Sequence, residues 1–513
     1  RGNMQAAEWK KDYEEFEEVT RQFYAGEVPS PKYKGFSGGF GSYAQRGGKA
    51  SMLRLRLPGG RVDREKLGFV VRAVEKYKID KVHFTTCQTI QLHNLDADAV
   101  CELAVEALDY GIITRGGGGD FPRNVMVSPL SGVEQGEYFD VSPYAEAAAD
   151  YLMGFIKTVK LPRKLKVCFS NSPKNETHAT FRDLGFTARA DGKFDIYSAG
   201  GLGNNPKMGV KVAEAVDGSQ ILYYIKAMVN MFVAYGNYEN RAKARTRYMQ
   251  EVLGEEYAAR FKEKLDEVMA AEKLDIHVEA REVKKESDGV KVNNKRVIPQ
   301  KQEGLYAVMY HPIGGCPNPS KFKELYDAMA DMEQVELRIA PDETVYIINC
   351  TGSEAEKFLE ITSDSADTLF ESSVACIGAS ICQVGVRDSQ SLLKTLMEQS
   401  KEWGYEDGVL PKIHISGCPS SCGTHQIGRI GFRGGVKKVD GAMQPAFVLT
   451  VNGRDEAGVE CFGEQVGTIL EKDIPSFLKK IGEEVSKSGM MYDEWYENHT
   501  ERFAEIAKPY VES

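Results

Sequence analysis

The sequence contains no long apolar stretch and few cysteines for its length. No run of about 18 apolar residues occurs, so neither a membrane-spanning helix nor a membrane partner is expected. The first residues, R-G-N-M-Q, are not followed by an apolar run, so no secretory signal is expected. Ten cysteines in 513 residues are too few for a disulfide scaffold. We therefore expect a protein of the reducing cytoplasm whose cysteines are free or bind metal.

Nucleotide-binding motifs are also missing. No G-x-G-x-x-G follows a predicted strand, which argues against a nicotinamide or flavin site. The glycine run at 116–119 is not followed by Gly-Lys-Ser/Thr, so it is not a phosphate-binding loop. We expect it to be a hinge or a point of close backbone approach. The net charge of −10 argues against a nucleic-acid partner.

Four cysteines near the C-terminal end form two short motifs. Cys376 and Cys382 are separated by five residues, and Cys418 and Cys422 by three. A single cysteine is more often a small buried apolar residue than a ligand. Structural zinc sites favour C-x2-4-C, which the five-residue gap fits poorly. Because iron–sulfur clusters are held by four thiolates, the paired motifs favour a [4Fe–4S] cluster.

Two internal repeats divide the chain into halves of similar plan. Residues 50–95 and 305–350 show the same succession of strand, helix, strand and strand. Residues 161–173 and 410–423 share an L-P start, a predicted strand and a polar segment, followed by L-G-F or I-G-F. The pattern predicts an internally duplicated α+β fold in which each half pairs an α+β unit with a larger α/β unit.

Several motifs occur together in a fixed order. They are M-L-R-L-R-L-P-G-G, T-T-C-Q-T-I-Q-L-H, P-R-N-V, L-P-R-K-L-K and the two cysteine motifs. In this order they resemble the sirohaem-dependent sulfite and nitrite reductases, over about residues 50–435. The resemblance implies two ferredoxin-like half-domains and two α/β domains that bind sirohaem and the cluster. It also implies an anionic substrate and a separate electron donor, most simply a ferredoxin.

The resemblance and the repeats together predict the domain bounds. They are an N-terminal helical extension (1–45), a first ferredoxin-like half-domain (46–120), a first sirohaem-binding α/β domain (121–270), a charged linker (271–303), a second half-domain (304–362), and a second α/β domain carrying the cluster (363–513).

The same resemblance implies roles for individual residues. Two arginines and two lysines would grip the substrate oxygens as catalytic residues, and the four cysteines would bind the cluster, with Cys422 shared with the sirohaem iron. The implied catalytic residues are Arg54, Arg123, Lys164 and Lys166; the implied cofactor-binding residues are Thr85, Cys87, Gln91, His93, Arg163, Arg241, Arg245 and Cys422. Cys168, Cys316 and Cys350 are expected to be structural thiols.

The basic residues have an ordinary alternative role. Lys164 and Lys166 are two apart on a predicted strand and therefore project to one face, which on its own is typical of a solvated surface. Arg241 and Arg245 lie on a predicted helix, where a solvated basic face and cofactor binding are equally favoured.

Two positions depart from the family pattern. Cys87 stands where the family usually has an arginine expected to hold a sirohaem carboxylate, and Ser420 stands where asparagine is common. Cys87 either packs as an ordinary buried thiol or lies near the macrocycle as a reactive one. Both departures leave the four cluster cysteines intact.

The sequence predicts an oxidoreductase that carries out the six-electron reduction of sulfite to sulfide. Nitrite reduction to ammonia is the alternative, because family members commonly reduce both anions. Lys166 favours sulfite, since plant-type nitrite reductases tend to have asparagine there. A non-catalytic iron–sulfur or zinc-binding protein of the same fold is a more remote alternative, which the absorbance bands of sirohaem would exclude.

Overall fold

The computed structural model describes the backbone of residues 2–513 and side chains from Ala6 onward. Arg1, the first residue of the predicted N-terminal extension, lies outside the described residues. The chain forms two compact units. The first contains the residues up to Gly201, with 206–310 and 317–363, and the second contains 202–205, 311–316 and 364–513.

The first unit begins with a long helix whose apolar side chains pack on the first half-domain. Tyr13 and Phe16 are buried and Trp9 packs against the same core, as the apolar spacing predicts. The helices of this region are α1 (Gly2–Tyr24), α2 (Ser30–Ser37), α3 (Arg64–Tyr77) and α4 (Ala97–Asp109), and the strands are β1 (Ser42–Ala44), β2 (Ser51–Leu55), β3 (Arg61–Val62), β4 (Val82–Phe84) and β5 (Ile90–Leu95).

Local signals in the sequence determine where helix α3 begins and ends. The Asp63 carboxylate accepts a hydrogen bond from the backbone N–H of Lys66 at 2.9 Å, which caps the N-terminus. Lys78 adopts a left-handed conformation at the C-terminus. Leu67 and Val70 face the core. The helix predicted within residues 50–95 is therefore confirmed, and it runs from Arg64 to Tyr77.

A five-stranded sheet follows in the same unit, with order β10-β9-β8-β7-β6. Its first pairs, β6–β7 and β7–β8, are parallel and the others are antiparallel. The strands are β6 (Met126–Val127), β7 (Val167–Ser170), β8 (Leu184–Ala188), β9 (Phe194–Ser198) and β10 (Val210–Val216), and the helices are α5 (Ser142–Met153), α6 (Ile221–Tyr235), α7 (Met249–Leu253) and α8 (Tyr257–Ala271).

An extended charged segment connects α8 to the second half-domain. It contains no helix or strand over residues 272–296, and its residues are largely exposed. Two of its cations are nevertheless anchored: Lys285 Nζ lies 2.7 Å from the carbonyl oxygen of Glu333, and Arg296 Nη1 lies 2.9 Å from that of Met309. The second half-domain contains β11 (Val297–Pro299), β12 (Tyr306–Tyr310), α9 (Lys321–Ala328), β13 (Glu336–Ile339), β14 (Val345–Cys350) and α10 (Gly352–Ile361).

The two half-domains have matching sheets. The orders are β1-β2-β5-β4 and β11-β12-β14-β13, so each strand of the first has a counterpart in the second. Arg54 pairs with Gln91 in one sheet, and Met309 pairs with Tyr346 in the other. The short strand β3 extends the second sheet by pairing antiparallel with β13. The predicted duplication of this unit is confirmed.

The second compact unit contains a sheet of order β15-β16-β17-β18-β19. Its first two pairings are parallel and the rest antiparallel, as in the sheet of β6 to β10. None of the described helices is both long and apolar enough to cross a membrane. The elements are β15 (Val374–Ala375), α11 (Ser389–Ser400), β16 (Ile413–Ser416), β17 (Ile430–Val439), β18 (Ala442–Val451), β19 (Glu464–Leu470), α12 (Ile474–Ser488), α13 (Tyr492–Asn498) and α14 (Thr500–Glu512).

Candidate functional site

Two of the predicted catalytic residues are positioned by the glycine run. Arg54, on β2, donates from Nη1 to the carbonyl oxygen of Gly117 at 2.8 Å. Arg123 donates to the carbonyl oxygen of Gly119 from Nε at 3.2 Å and from Nη2 at 3.0 Å. Burial lowers the pKa of Arg123, with Arg54 contributing in the same direction. The two guanidinium groups therefore lie close together.

The glycines of this run allow a close backbone approach, one of the two roles predicted for them. A Cβ on Gly117 would lie 2.8 Å from the carbonyl oxygen of Thr114. A Cβ on Gly118 would lie 2.8 Å from the Tyr43 hydroxyl, which accepts the backbone N–H of Gly119 at 2.8 Å. Side chains at these positions would displace the carbonyls that hold Arg54 and Arg123.

Lys164 and Lys166 flank a buried leucine just before β7. Leu165 is fully buried and forms an isolated parallel bridge with Pro122, so the two lysines project away from that side. The prediction that they lie on a strand is wrong in its bounds, because the ladder starts at Val167. The backbone N–H of Lys166 donates instead to Asp183 Oδ2 at 2.7 Å.

Several cationic side chains lie near the thiol of Cys87 and act on its pKa. Burial would raise its pKa, but four surrounding cations outweigh burial and lower the pKa to about 6. In decreasing order of effect they are Lys166, Arg182, Arg54 and Lys164. Three of the four predicted catalytic residues thus surround one thiol, and Cys87 in turn acts on Arg123. We name this group, Arg54, Arg123, Lys164, Lys166 and Arg182, the basic pocket.

Three further predicted cofactor-binding residues lie on the hairpin from β4 to β5. Thr85 Oγ1 accepts the backbone N–H groups of Cys87 at 3.3 Å and Thr89 at 3.1 Å, which holds the turn. Gln91 is paired with Arg54 across the sheet and contacts His93 Nε2 at 3.1 Å. Burial lowers the pKa of His93 well below its usual value, so its imidazole is neutral near pH 7.

A second basic group lies beside the first. Burial lowers the pKa of Arg163, and the nearby charges of Arg241 and Arg245 lower it further. Arg241 forms a two-point ion pair with Asp120, at 2.8 and 3.0 Å. Arg245 lies 3.4 Å from the buried carboxylate of Asp183. This group is therefore partly neutralised.

The predicted helix over the basic segment 241–247 is wrong. Residues Arg241–Lys243 and Thr246–Tyr248 form two short 3-10 turns, with Arg245 extended between them. Asn240 caps the first turn through the backbone N–H of Ala242. The buried Asp183 carboxylate accepts a hydrogen bond from Thr246, and this tertiary contact overrides the helical pattern.

Three contributors were not predicted from the sequence. Arg182 lies in the basic pocket, where its Nε donates to the carbonyl oxygen of Thr177 at 3.0 Å. Tyr43 lies against Arg123 and Arg54, and those charges lower its pKa against the effect of burial. Arg56 is buried and donates from Nη1 to the carbonyl oxygen of Pro122 at 2.7 Å, which supports the loop carrying Arg123. The only sequence signal for Arg56 was its repeat with Arg54 in R-L-R.

The second unit brings the two cysteine motifs together. The backbone N–H of Gly417, next to Cys418, donates to Cys376 Sγ at 3.1 Å. A Cβ on Gly417 would lie 3.5 Å from the Cα of Gly378, in the first motif. Burial raises the pKa of Cys376 to about 12, and the nearby Cys422 contributes to this rise.

The chemistry of this donor set fits an iron–sulfur cluster. Cys376, Cys382 and Cys418 are half-buried, and Cys422 is exposed. Over the described part of the chain, no three His, Cys, Asp or Glu side chains converge tightly enough to hold a single metal ion. A cubane makes a different demand, because its four cysteines bind four separate irons. Ligation by these four residues stays a prediction.

The other predicted thiols differ in their surroundings. Cys168 and Cys350 are fully buried, and burial raises the pKa of both thiols, that of Cys168 to about 11. Cys316 is half-buried. Buried thiols of raised pKa are inert, which agrees with the structural role predicted for the first two.

Two family profiles match the chain between residues 43 and 273. The "Nitrite/Sulfite reductase ferredoxin-like half domain" matches residues 43–109, and the "Nitrite and sulphite reductase 4Fe-4S domain" matches residues 118–273. The chain therefore contains two domains characteristic of nitrite and sulfite reductases, as its motifs predict, and the predicted oxidoreductase class is confirmed. The second matched range includes Cys168 as its only cysteine, so it does not itself assign the cluster ligands.

Curated relatives include reductases for both anions. The chain is 26% identical to ferredoxin–nitrite reductase of Synechococcus elongatus, over 84% of this chain and 85% of the relative. It is 26% identical to the chloroplastic ferredoxin–nitrite reductase of Spinacia oleracea, over 81% and 69%. It is 24% identical to sulfite reductase [ferredoxin] 1 of Mycolicibacterium paratuberculosis, over 79% and 74%.

A solved structure has the same fold. The structure of Mycobacterium tuberculosis NirA protein matches with a TM-score of 0.77 and 22% identity, over 93% of this chain and 92% of that one. The predicted duplicated α+β fold is confirmed. The predicted cofactors, sirohaem and a [4Fe–4S] cluster, are confirmed as those of the family.

Proposed function

We propose that this reductase converts sulfite to sulfide in a six-electron reduction, with the basic pocket as its anion-binding site. The observation that carries the proposal is the convergence of Arg54, Lys164 and Lys166 on one point, at Cys87. Buried anions require paired cations, and a protein without such a substrate or cofactor gains nothing from gathering them. This convergence also argues against a non-catalytic protein of the same fold.

The pocket residues have distinct tasks in this proposal. Arg54 and Arg123 are held by backbone carbonyls, so their guanidinium groups are preorganised to bind anion oxygens. Lys164 and Lys166 supply charge and transferable protons as oxygen atoms leave. When bound, sirohaem supplies an iron centre for the anion, and the cluster supplies electrons. Thr85, Gln91, His93, Arg163, Arg241 and Arg245 are proposed to hold the sirohaem, with Cys422 as a ligand to its iron and to the cluster.

Lys166 is the proposed determinant of substrate choice. Sulfite carries up to two negative charges near neutral pH and nitrite carries one, so each added cation favours sulfite. A charge-assisted hydrogen bond contributes about 1.5–3 kcal/mol. Lys166 contributes the largest of the cationic effects on the pKa of Cys87, which supports this role.

Nitrite reduction is the second candidate, favoured by the names of the relatives. Two of the three relatives described above are ferredoxin–nitrite reductases. Both candidates use the same pocket and the same kind of donor. The two candidate functions are distinguished by kcat/KM for sulfite and nitrite in the wild type and in one variant.

The test replaces Lys166 with asparagine, which removes one charge but keeps a hydrogen-bond donor. We expect kcat/KM for sulfite to fall roughly ten- to a hundredfold, or about 1.4–2.8 kcal/mol, while that for nitrite changes much less. Dithionite-reduced viologen serves as donor, and sirohaem occupancy is checked by absorbance. The exposed Lys160, changed to asparagine, is the matched control and should alter neither value.

Equal losses for the two anions would contradict Lys166 as the selectivity residue. A wild-type enzyme with higher kcat/KM for nitrite would favour the second candidate. Ferredoxin is the proposed physiological donor, and reduced ferredoxin should support turnover at least as well as viologen. The cytoplasmic location stays a prediction, to be checked by cell fractionation.

A further inference from the structure

The sulfur atom of Cys376 lies among hydrogen-bonding groups of the second unit, which include the backbone of Gly378. The backbone N–H of Gly417 donates to Sγ at 3.1 Å, and Ser389 Oγ lies 3.1 Å from the same sulfur. Ser389 is fully buried. Its hydroxyl therefore has a fixed set of partners and no access to solvent.

The position of Ser389 is fixed by the start of helix α11. Asp388 caps this helix by accepting the backbone N–H of Ser391 at 3.1 Å. Gly378 packs directly against Ser389, since a Cβ on Gly378 would lie 2.9 Å from Ser389 Oγ. The cysteine loop and the helix start thus hold the hydroxyl beside the sulfur.

The hydroxyl of Ser389 has one hydrogen and two acceptors within reach. Its oxygen lies 2.6 Å from the carbonyl oxygen of Cys376 and 3.1 Å from the sulfur. A Cys376 thiol can donate its S–H to Ser389 Oγ, which leaves the hydroxyl hydrogen for the carbonyl. A thiolate has no hydrogen to donate, so only the hydroxyl can then supply that bond.

The Cys376 carbonyl keeps a donor when the hydroxyl turns to the sulfur. Gln390 Nε2 lies within hydrogen-bonding distance of three carbonyl oxygens, those of Gly314 at 2.9 Å, Ala375 at 3.0 Å and Cys376 at 3.2 Å. When the Ser389 hydroxyl rotates, the Cys376 carbonyl shares the Gln390 amide group with the other two carbonyls. The local structure accommodates both forms of Cys376.

From this geometry we infer that Ser389 is a positioning residue that donates a hydrogen bond to the Cys376 thiolate in the loaded protein and raises the cluster's reduction potential. The inference rests on the proposed ligation of the cluster by Cys376. Hydrogen bonds to cluster sulfurs stabilise the added negative charge of the reduced state, so they make reduction easier. Gly417 supplies one such bond from the backbone, and Ser389 supplies the one that side-chain substitution can remove.

The test measures the midpoint potential of the cluster by a redox titration followed by electron paramagnetic resonance. In Ser389→Ala, we expect full iron and sulfide content with a midpoint more negative than that of wild type. Ser389→Thr keeps the hydroxyl and should restore the midpoint. The matched control is Ser391→Ala on the same helix, where the exposed side chain is lost and the backbone N–H to Asp388 remains.

Each outcome separates the inference from the ligand assignment. Loss of the cluster in Cys376→Ser with retention in Ser389→Ala, together with the shifted midpoint, supports both. An unchanged midpoint in a fully loaded Ser389→Ala protein overturns the inference and leaves the proposed function standing. A shift that Ser389→Thr does not reverse also overturns it. A full cluster in Cys376→Ser overturns the ligand assignment and the inference with it.

Discussion

The sheet of β6 to β10 and the sheet of β15 to β19 place different atoms at the same point of the same loop. After the sheet's first strand, Ser128 Oγ accepts the backbone N–H of Asn171 at 3.0 Å in one copy. In the other copy, Cys376 Sγ accepts the backbone N–H of Gly417 at 3.1 Å. The backbone of the loop thus specifies where an acceptor sits, and the side chain decides whether it can bind iron.

The half-domains show the reverse distribution of chemistry. Arg54 lies on β2 opposite Gln91, and the equivalent position on β12, opposite Tyr346, is Met309. The first half-domain therefore carries a cation of the basic pocket that the second lacks, whereas the cysteine motifs lie outside both half-domains, in the unit that contains β15 to β19. The comparison shows that the duplicated units share a backbone plan and differ in the side chains they carry, cations in one case and thiols in the other.

The largest expected effect is the loss of the cluster when a cysteine in the unit of β15 to β19 is replaced. Cys422→Ser should remove the iron, the acid-labile sulfide and the cluster's electron paramagnetic resonance signal, because serine is a poor substitute for a thiolate ligand. Metal and sulfide analysis of the purified protein measures this loss. The matched control is Cys461→Ser in the same unit, where the thiol lies 3.2 Å from the Asn452 carbonyl oxygen. Full cluster content in Cys422→Ser would contradict the assignment.

A smaller and equal effect is expected from a matched pair of glycines. A Cβ on Gly185 would overlap the carbonyl oxygen of Ala179, and a Cβ on Gly431 would overlap that of His425. Because backbone must move in both, each glycine-to-alanine change should lower the free energy of unfolding of its own sheet by about 3 kcal/mol. Thermal unfolding of the two variants, each compared with wild type, measures this.

Two turn glycines provide the control for that pair. Gly192 and Gly441 have φ of +83° and +84°, and the space that a methyl group would occupy at each is open, so alanine there should cost only about 1 kcal/mol. The losses in free energy of unfolding should be similar for Gly185→Ala and Gly431→Ala. If these two losses differ from each other as much as they differ from the controls, the two sheets are not equivalent scaffolds.

The smallest expected effect is a change in the reactivity of Cys87. In the cofactor-free chain its pKa of about 6 predicts that alkylation by iodoacetamide rises through pH 6 and is level by about pH 8, since the thiolate reacts. Lys166→Asn should move the midpoint to higher pH. Cys168, buried and with a pKa raised to about 11, is the internal control and should stay unmodified. Mass spectrometry of the labelled peptides gives both rates. A rate that rises only near the pKa of an ordinary thiol would contradict the convergence of cations at Cys87.

The parts of the fold predicted well were those with local signals. Helix α3 has a capping aspartate, an apolar face and a left-handed end, so its bounds were predictable. The duplication was visible because both copies repeat strands in the same order. The positions of Arg54, Lys164 and Lys166 followed from family motifs, and their convergence required the folded chain.

The parts predicted poorly depend on contacts distant in sequence. The segment 241–247 has a helical pattern, but Asp183 holds Thr246 in a different conformation. Arg182 and Arg56 are buried arginines bonded to backbone carbonyls, and no spacing in the sequence distinguishes them from surface arginines. Tertiary hydrogen bonds decided these cases.

The pairing of β3 with β13 has a consequence for synthesis on the ribosome. Val62 lies opposite Leu337, so the last strand of the second half-domain's sheet is made long before its neighbour. At about 5–20 residues per second, the ribosome needs on the order of 15–55 s to cover the interval. During that delay β3 has no partner strand. An unpaired strand edge can pair with other chains and so promotes aggregation. The emergence of β13 from the ribosome, not the completion of the first half-domain, therefore sets the earliest moment at which this sheet can close.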